Sequence, residues 1–336
     1  MIINLTKTNA SAISSAIRKA RRSSGAASGL VFTLVVIVPA RRYEEALEAA
    51  LQAGREHPSR IILVVKGTGK TDKLDADIHL GEDVPGDVIT LRLSGGPAEH
   101  AESVVLPLLL PDSPVVAWWP NESPLDPGSD PIGKLAKRRI TDASGVTHCL
   151  EALRVRAEHH AVGDTDLTWT RLTTWRALLA AALDQYPARV TSARVEADHD
   201  NAPAELLASW LQSRLNVPVE RTSTDGPGIT AVRLTTAAGD IAIIRTDGLL
   251  ATYEVPGQPR RKVALKRRSL TDLISEELRR LDADDIFEAA AQTLIERWDA
   301  PKKTTSRKPS KAATGGTATG GTGKKAASAA TKKGSA

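Results

Sequence analysis

Long apolar strand patterns, each followed by a helical pattern, restrict the fold of this sequence more than any other feature. The segment from Leu30 to Val38 is apolar or β-branched throughout, which is typical of a strand that is buried on both faces. Tyr43 to Gly54 then has a helical pattern that ends at a glycine, and Arg60 to Val65 repeats the strand pattern. Strands that alternate with helices of about a dozen residues predict a mostly parallel sheet with both faces covered.

The same alternation continues to the end of the first third of the chain. After a loop rich in Asp and Gly, the pattern predicts a strand over Asp87 to Leu93, a helix over Ala98 to Leu110 and a strand over Pro114 to Trp119. We therefore expect an N-terminal α/β domain over residues 1–135, with a mostly parallel sheet and flanking helices.

Residues 136–300 predict a second, mixed α/β domain. Ile140 to Ala161 combines a strand with a helix, and Leu167 to Tyr186 has a clear helical stripe after the potential cap Asp166. Next come a strand, a helix and a strand, at 189–197, 202–215 and 218–222. Short strand patterns separated by Gly, Asp and Pro then predict an antiparallel meander, at 230–234, 240–245, 250–255 and 262–265. Two helices follow, over 269–281 and 283–298.

The last segment, residues 301–336, is rich in Lys, Ala, Thr and Gly and has almost no apolar side chains. Such a segment cannot offset the entropy lost on ordering, so the composition predicts disorder. Its nine Lys/Arg and absence of acids leave 36 bases and 40 acids in residues 1–300, so the body is mildly acidic although the whole chain carries +5. The tail would bind acidic partners or nucleic acid weakly and without sequence specificity, or act only as a solubilising segment.

The cysteine content and the lengths of the apolar runs indicate the cellular compartment of the protein. The single Cys149 excludes an intramolecular disulfide and a zinc site made of cysteines alone, which favours a reducing cytoplasm. No apolar run approaches the roughly 20 residues that span a bilayer. We expect a cytoplasmic protein without a membrane partner, and no basic face is recognisable in the body from the sequence.

No pattern in the sequence predicts a catalytic residue, a metal or a cofactor. The segment from Lys66 to Thr71 is similar to a phosphate-binding loop, but Val64 occupies the position of its first glycine. Neither G-x-G-x-x-G after a predicted strand nor G-x-S-x-G occurs. His159 and His160 are adjacent, so on a helix they point about 100° apart and do not share one ion easily.

One loop is a candidate phosphate contact. His57, Ser59 and Arg60 lie just before a predicted strand, and loops at sheet ends often bind ligands. The alternative interpretation is a structural turn.

Clustered tryptophans are the most specific feature of a chain that is only 3% aromatic. Large rings serve either as core anchors or as contacts at protein interfaces. Adjacent tryptophans in a strand face opposite sides, so both are buried only if both sheet faces are covered, and we expect one of the first pair to be exposed. The candidate partner-binding residues are Trp118, Trp119, Trp169, Arg171, Trp175 and Arg176; among these, Trp175 lies on the apolar stripe of its helix and is expected in the core.

Three motifs together resemble the OpcA family of glucose-6-phosphate dehydrogenase assembly proteins, of the actinobacterial type. They are His57-Pro-Ser-Arg60, Leu109-Leu-Pro-Asp-Ser-Pro-Val-Val-Ala-Trp-Trp-Pro120 and Asp166-Leu-Thr-Trp-Thr-Arg-Leu-Thr-Thr-Trp-Arg176. The resemblance extends over nearly the whole body, to about Trp298. It implies a non-enzymatic partner that assists assembly or allosteric activation of glucose-6-phosphate dehydrogenase in the pentose phosphate pathway.

Two other functions stay open at the level of the sequence. A sugar-phosphate-binding protein or minor enzyme would use Ser59 and Arg60, and would show saturable binding that is lost on Arg60→Ala. A nucleoid-associated protein would act through the tail, and would lose salt-sensitive DNA binding on truncation after Trp298.

Overall fold

The computed structural model describes residues 1–24, 29–81, 84, 86–245 and 247–300. The predicted disordered tail at 301–336 and part of the small-residue linker predicted at 23–29 lie outside the described residues. Within the described residues, the strands form an eight-stranded and a six-stranded sheet. The structure is thus mixed α/β, as the sequence predicts.

The strands are numbered in chain order. Those of the first sheet are β1 Ile2–Leu5, β2 Phe32–Pro39, β3 Ser59–Lys66, β4 Lys73–Leu80, β5 Gly86–Ser94, β6 Val115–Trp118, β7 Arg138–Thr141 and β8 Asp164–Asp166. Those of the second sheet are β9 Val190–Ala197, β10 Val219–Ser223, β11 Ile229–Thr236, β12 Gly239–Ile244, β13 Leu250–Glu254 and β14 Arg261–Ala264.

The helices are numbered in the same way. They are α1 Ala10–Ser24, α2 Tyr43–Glu56, α3 Gly96–Glu99, α4 Ala101–Val105, α5 Cys149–Glu158, α6 Leu167–Thr170, α7 Thr173–Gln185, α8 Ala202–Leu215, α9 Leu270–Glu277 and α10 Asp285–Asp299. Short 3-10 turns cover Ala40–Arg42, Leu106–Leu108, Gly133–Leu135 and Ala143–Gly145.

The first sheet has the order β1-β4-β5-β3-β2-β6-β7-β8 and is parallel from β5 to β8. Only the β1–β4 and β4–β5 pairs within it are antiparallel. In β2, the side chains of Phe32 through Val38 are all buried and point alternately into two apolar clusters. One cluster contains α1 and α4, and the other contains α2 and α9. The prediction of a mostly parallel sheet with both faces covered is confirmed.

The second sheet has the order β10-β9-β11-β12-β13-β14. Only β9 and β10 are parallel neighbours; the other pairs are antiparallel, which confirms the meander. Alternate residues of β11 to β13 are buried in a third cluster with side chains from α5, α7, α8 and α10. This sheet therefore has helices against one face, as expected for period-two patterns.

The sequence patterns did not predict three strands, β1, β4 and β8. The segment predicted as an Asp- and Gly-rich loop contains β4, in which Leu74, Ala76, Ile78 and Leu80 face inward. Their outward neighbours include aspartates, so the strand has a polar face and no continuous apolar run. The other two are short: β1 has four residues and lies at the sheet edge beside β4, and β8 has three residues at the opposite edge.

Two predicted helices are broken in the structure. The segment predicted as one helix over 98–110 contains α3, α4 and a 3-10 turn, with Pro107 in the turn. The segment predicted as one helix over 167–186 is divided into α6 and α7 at Arg171–Leu172. In Ile140–Ala161, the expected strand and helix are present as β7 and α5.

The two halves of the chain are tied together around β7. Although β7, β8 and α9 follow residue 135, the strands belong to the first sheet and α9 packs on it through Leu273 and Ile274. The buried Arg138 of β7 forms an ion pair with the buried Glu277 of α9, and Arg138 Nη1 also donates to the Asp282 carbonyl at 2.6 Å. The domain boundary at residue 135 stays a prediction.

This ion pair generates a stability prediction. Arg138→Met leaves Glu277 buried without its cation, and breaking a buried pair in this way costs about 3–5 kcal/mol. We expect a lower unfolding midpoint in urea, and recovery of most of the loss in the double variant Arg138→Met/Glu277→Gln. If the single variant unfolded at the wild-type urea concentration, the pair would not hold α9 to the sheet.

Candidate functional site

The first tryptophan pair lies entirely inside the protein. Trp118 is 0% exposed in the cluster that contains α9, and Trp119 is 3% exposed in the cluster on the opposite face, with Ile132 and Ala136. Consecutive strand residues face opposite sides, and both sides of this sheet are covered. The expectation that one ring of this pair is exposed was therefore wrong.

Trp169 joins the α6 helix to the start of α10. Its Nε1 donates to Asp284 Oδ2 at 2.8 Å, while the other carboxylate oxygen of Asp284 caps α10 by accepting from two backbone N–H groups. The Arg176 guanidinium lies 3.5 Å from the centroid of the Trp169 ring, a close cation–π contact. Burial lowers the pKa of Arg176, and the negative charge of Asp284 partly offsets this effect. Trp169 is a buried anchor, and Arg176 covers its ring.

Trp175 occupies the core, as the helical stripe predicts. It is buried with Leu179 in the cluster of the second sheet, and the Arg245 guanidinium lies 5.1 Å from its ring centroid. Trp175 therefore connects α7 to the end of β12.

Arg171, which follows α6, is held by a carboxylate from the loop after β7. Its Nη1 and Nη2 donate to the two oxygens of Asp142 at 2.6 and 2.8 Å. Asp142 is buried, and this burial raises its pKa to about 6, although the positive charge of Arg171 acts in the opposite direction. The nearby Asp166 is an acceptor for the Thr168 and Ala143 N–H groups, which confirms the predicted cap of α6.

The structure thus brings four of the six predicted partner-binding residues into one segment. Trp169, Arg171, Trp175 and Arg176 lie within ten residues, whereas Trp118 and Trp119 belong to the core of the first sheet. Arg171 and Arg176 are the members with intermediate exposure. A partner-binding role for these residues stays a prediction, in which the arginines are the accessible groups.

The predicted phosphate contacts have partners inside the protein. Arg60 is buried; its Nε and Nη2 donate to Asp87 at 3.0 and 2.8 Å, and its Nη1 donates to the Leu108 carbonyl at 2.6 Å. His57 Nε2 contacts the Ser275 carbonyl at 3.0 Å, and Ser59 is buried at the start of β3. This is the amino edge of the strand, opposite the edge where parallel sheets bind ligands. These contacts do not favour a phosphate role, which stays a prediction.

The carboxyl edge of the first sheet has a different lining. The strand order reverses between β2 and β6, the position at which doubly wound sheets bind ligands. The turn after β2 contains Ala40, Arg41 and Arg42 and no glycine, and Arg41 pairs with Glu122 from the loop after β6 at 2.6 Å. The turn lacks the glycines that let a backbone approach a pyrophosphate.

The described residues contain neither a group of potential metal ligands nor a helix that could span a membrane. Among the described residues, His, Cys, Asp and Glu side chains do not gather into a group of three or more that could hold a metal ion. Over the same part of the chain, none of the helices is long and apolar enough to cross a membrane.

Two family models match the chain in consecutive segments. Residues 50–158 match the N-terminal domain, and residues 162–291 the C-terminal domain, of the family described as the glucose-6-phosphate dehydrogenase subunit. The chain belongs to the OpcA family of glucose-6-phosphate dehydrogenase assembly proteins. The two matches meet close to β8, the last strand of the first sheet.

Comparisons with individual proteins do not extend the family assignment. A comparison with curated proteins finds no match. Among solved structures, the chain is similar to KijD10, a 3-ketoreductase from Actinomadura kijaniata, with TM-score 0.45, 9% identity and coverage of 78% of this chain and 94% of that one. It is also similar to the dehydrogenase MviM from Clostridium difficile, with TM-score 0.40, 7% identity and coverage of 80% and 98%. Neither likeness is close enough to support an argument about fold or chemistry.

A basic edge in the family's C-terminal domain was missed by the sequence interpretation. We use the name basic edge for β14 and its flanks, residues 260–268, which contain six Lys or Arg and no acid. Arg260, Arg261, Lys262, Lys266 and Arg267 are exposed on or beside this outermost strand of the second sheet. The run of six Lys or Arg was the sequence feature that could have indicated this edge. The net negative charge of residues 1–300 drew attention away from it.

Next to the basic edge, two leucines are exposed where β13 begins. Leu249 and Leu250 are 57% and 48% exposed, and Leu250 lies opposite Ala264 of β14 in the ladder. This edge therefore has exposed positive charge next to exposed aliphatic side chains.

Asp142 generates a prediction about pH. Its folded-state pKa of about 6 is above the unfolded value of about 3.9, so the folded state holds the proton longer and stability falls as pH rises from about 4 through 6. We expect Asp142→Asn to match the wild type near pH 4 and to gain about 1 kcal/mol or more relative to it by pH 8. Urea unfolding across this range measures the difference.

The exposed Asp184 offers a matched control, because Asp184→Asn makes the same change away from the buried pair. This control should follow the wild-type profile. If Asp142→Asn instead became progressively less stable than the wild type between pH 4 and 8, the attraction of Arg171 for the Asp142 carboxylate would outweigh the cost of burying its charge.

Proposed function

We propose that this chain is a non-enzymatic factor that binds glucose-6-phosphate dehydrogenase and assists its assembly into the active form. The observation that carries the proposal is the pair of family matches, which follow one another in order and extend over residues 50–291. Both sheets of the described fold therefore contribute to the region that the family shares.

The contacts of the buried ionic groups support a role without catalysis. Arg60 pairs with Asp87, Arg138 with Glu277 and Arg171 with Asp142, and in each pair at least one partner is buried. Catalytic groups need open access to a substrate and a pKa matched to the reaction. These three pairs are accounted for by packing of strands and helices.

We assign the dehydrogenase-binding surface to the basic edge together with Leu249 and Leu250. The positive charge of this edge differs from the net charge of residues 1–300, which hold more acids than bases. Charged rims steer partners and fix register, while apolar groups provide area to bury. Trp169 and Trp175 act behind this surface by fixing α6, α7 and α10, and Arg171 and Arg176 extend it toward the helices.

The effect on the enzyme follows from linkage. A factor that binds one oligomeric state of an enzyme more tightly than the others shifts the population toward that state. Allosteric activation is then a consequence of the same preference, if the favoured oligomer is the active one. A cytoplasmic location is part of this proposal, since Cys149 is the single cysteine and the partner is a metabolic enzyme.

The surface assignment predicts the behaviour of a charge-reversal variant. Arg261→Glu/Lys262→Glu places carboxylates where an acidic partner would approach, so we expect the dissociation constant for the dehydrogenase to rise about tenfold or more. Biolayer interferometry at two salt concentrations measures this, and higher salt should weaken the wild-type complex.

A matched control changes the same charge on another surface. Lys19→Glu/Arg22→Glu alters exposed residues of α1, outside the matched residues 50–291, and should bind like the wild type. Equal binding by both variants would remove the basic edge from the interface and leave the partner role intact. Absence of binding by the wild type would contradict the function itself.

A further inference from the structure

A cavity of about 340 Å³ opens beside the basic edge, between the start of α7 and the second sheet. Thr174 and Trp175 line it from α7, and the loop around Gly228 lines it from the sheet side. Its volume is at the lower end of the range for small-molecule sites. Five lining residues are basic: Arg171, Arg245, Lys266, Arg267 and Arg268.

Arg245 is the unusual member of this lining. It is 7% exposed, yet its guanidinium donates only to neutral groups, the Leu265 carbonyl at 3.1 Å and the Ile229 carbonyl at 3.0 Å. Its Nε is buried without a hydrogen-bond partner, and no carboxylate among the described residues forms an ion pair with it. A buried cation without an anion is costly, so an anion from outside the chain would stabilise it.

Arg267 brings a second guanidinium to the same corner. Its Nη2 lies 3.0 Å, and Arg245 Nη2 lies 3.7 Å, from the point where a Cβ on Gly228 would be. Burial lowers the pKa of Arg245, the like charge of Arg267 lowers it further, and the negative charge of Asp247 acts in the opposite direction. Among the described residues, the Arg267 side chain has neither a hydrogen bond nor an ion pair. Two guanidinium groups therefore converge on a corner that a glycine keeps open.

The other cations and the acids of the cavity are already engaged or lie apart. Arg171 is paired with Asp142, and Arg268 with Glu276 at 2.6 Å. Asp198 accepts from the Gly228 N–H at 3.1 Å, which fixes the loop rather than the guanidinium groups. Asp200 contacts His199, and Asp247 accepts from the Leu249 and Leu250 N–H groups. Among the described residues, the two guanidinium groups of the corner therefore have no carboxylate in an ion pair with them.

We propose that this cavity binds a small phosphorylated molecule, whose phosphate group lies between the guanidinium groups of Arg245 and Arg267. A phosphate carries close to two negative charges and three acceptor oxygens, so it can accept from two planar forks at once. The remaining volume, bounded by Thr174 and Trp175, holds the rest of the molecule. This site shares Arg267 with the basic edge, but the argument for it does not rest on the proposed partner role.

Isothermal titration calorimetry with glycerol 3-phosphate tests the site, with glycerol and citrate as matched probes at constant ionic strength. We expect saturable binding of glycerol 3-phosphate, no binding of glycerol, and weaker binding of citrate. Arg245→Met should reduce the affinity at least about tenfold, the loss of one charge-assisted contact to a phosphate. Arg261→Met removes an equal charge from the exposed strand and should bind like the wild type.

A second variant keeps the test decisive if Arg245→Met folds poorly. Arg267→Met changes an exposed side chain, so it should fold normally and still lose affinity. Thermal melts give an independent readout, because glycerol 3-phosphate should raise the melting temperature of the wild type and not that of Arg267→Met. Absence of saturable binding up to about 10 mM, tighter binding of citrate than of glycerol 3-phosphate, or wild-type affinity in both variants would overturn the proposal.

Discussion

Burial of the first sheet on both faces is the constraint on which the rest of the structure depends. The strands β2 and β3 are buried at almost every position and mostly apolar, so both faces must be covered. One face is covered largely by α1 and α4, but the other needs α9, which comes from residues 270–277. The second half of the chain must therefore fold back onto the first, and the buried Arg138–Glu277 pair fixes where it does so.

Two tryptophans lie in α6 and α7, the helices between the last strand of the first sheet and the first strand of the second sheet. Trp169 hydrogen-bonds the cap of α10, and Trp175 packs between α7 and the second sheet. Their large buried area stabilises the packing of these helices. The exposed groups on this side of the second sheet are cations of the basic edge, and one of them, Arg267, meets the buried Arg245 at the cavity. The proposed partner surface and the proposed phosphate site thus lie on one side of the second sheet, and Arg267 belongs to both.

Much of the fold was predictable from period and run length. Continuous apolar runs indicated β2, β3 and β6, and the stripe through Trp175 and Leu179 indicated α7. The β4 strand was not predictable as a continuous run, because its aspartates face outward. Arg245 was also hidden, since its neighbours Ile229, Leu265 and Arg267 come together only when β11, β12 and the segment after β14 are assembled. Local sequence patterns indicate which residues are buried, whereas the positions at which charged side chains meet depend on tertiary packing.

The most direct test of the central claim is the mass and activity of the cognate glucose-6-phosphate dehydrogenase, alone and with an equimolar amount of this protein. Light scattering after size-exclusion chromatography gives the mass, and NADPH formation gives the activity on the same fractions. We expect a co-eluting complex, a larger fraction of one enzyme oligomer and higher activity per enzyme chain. Separate elution with unchanged enzyme mass and activity would contradict it.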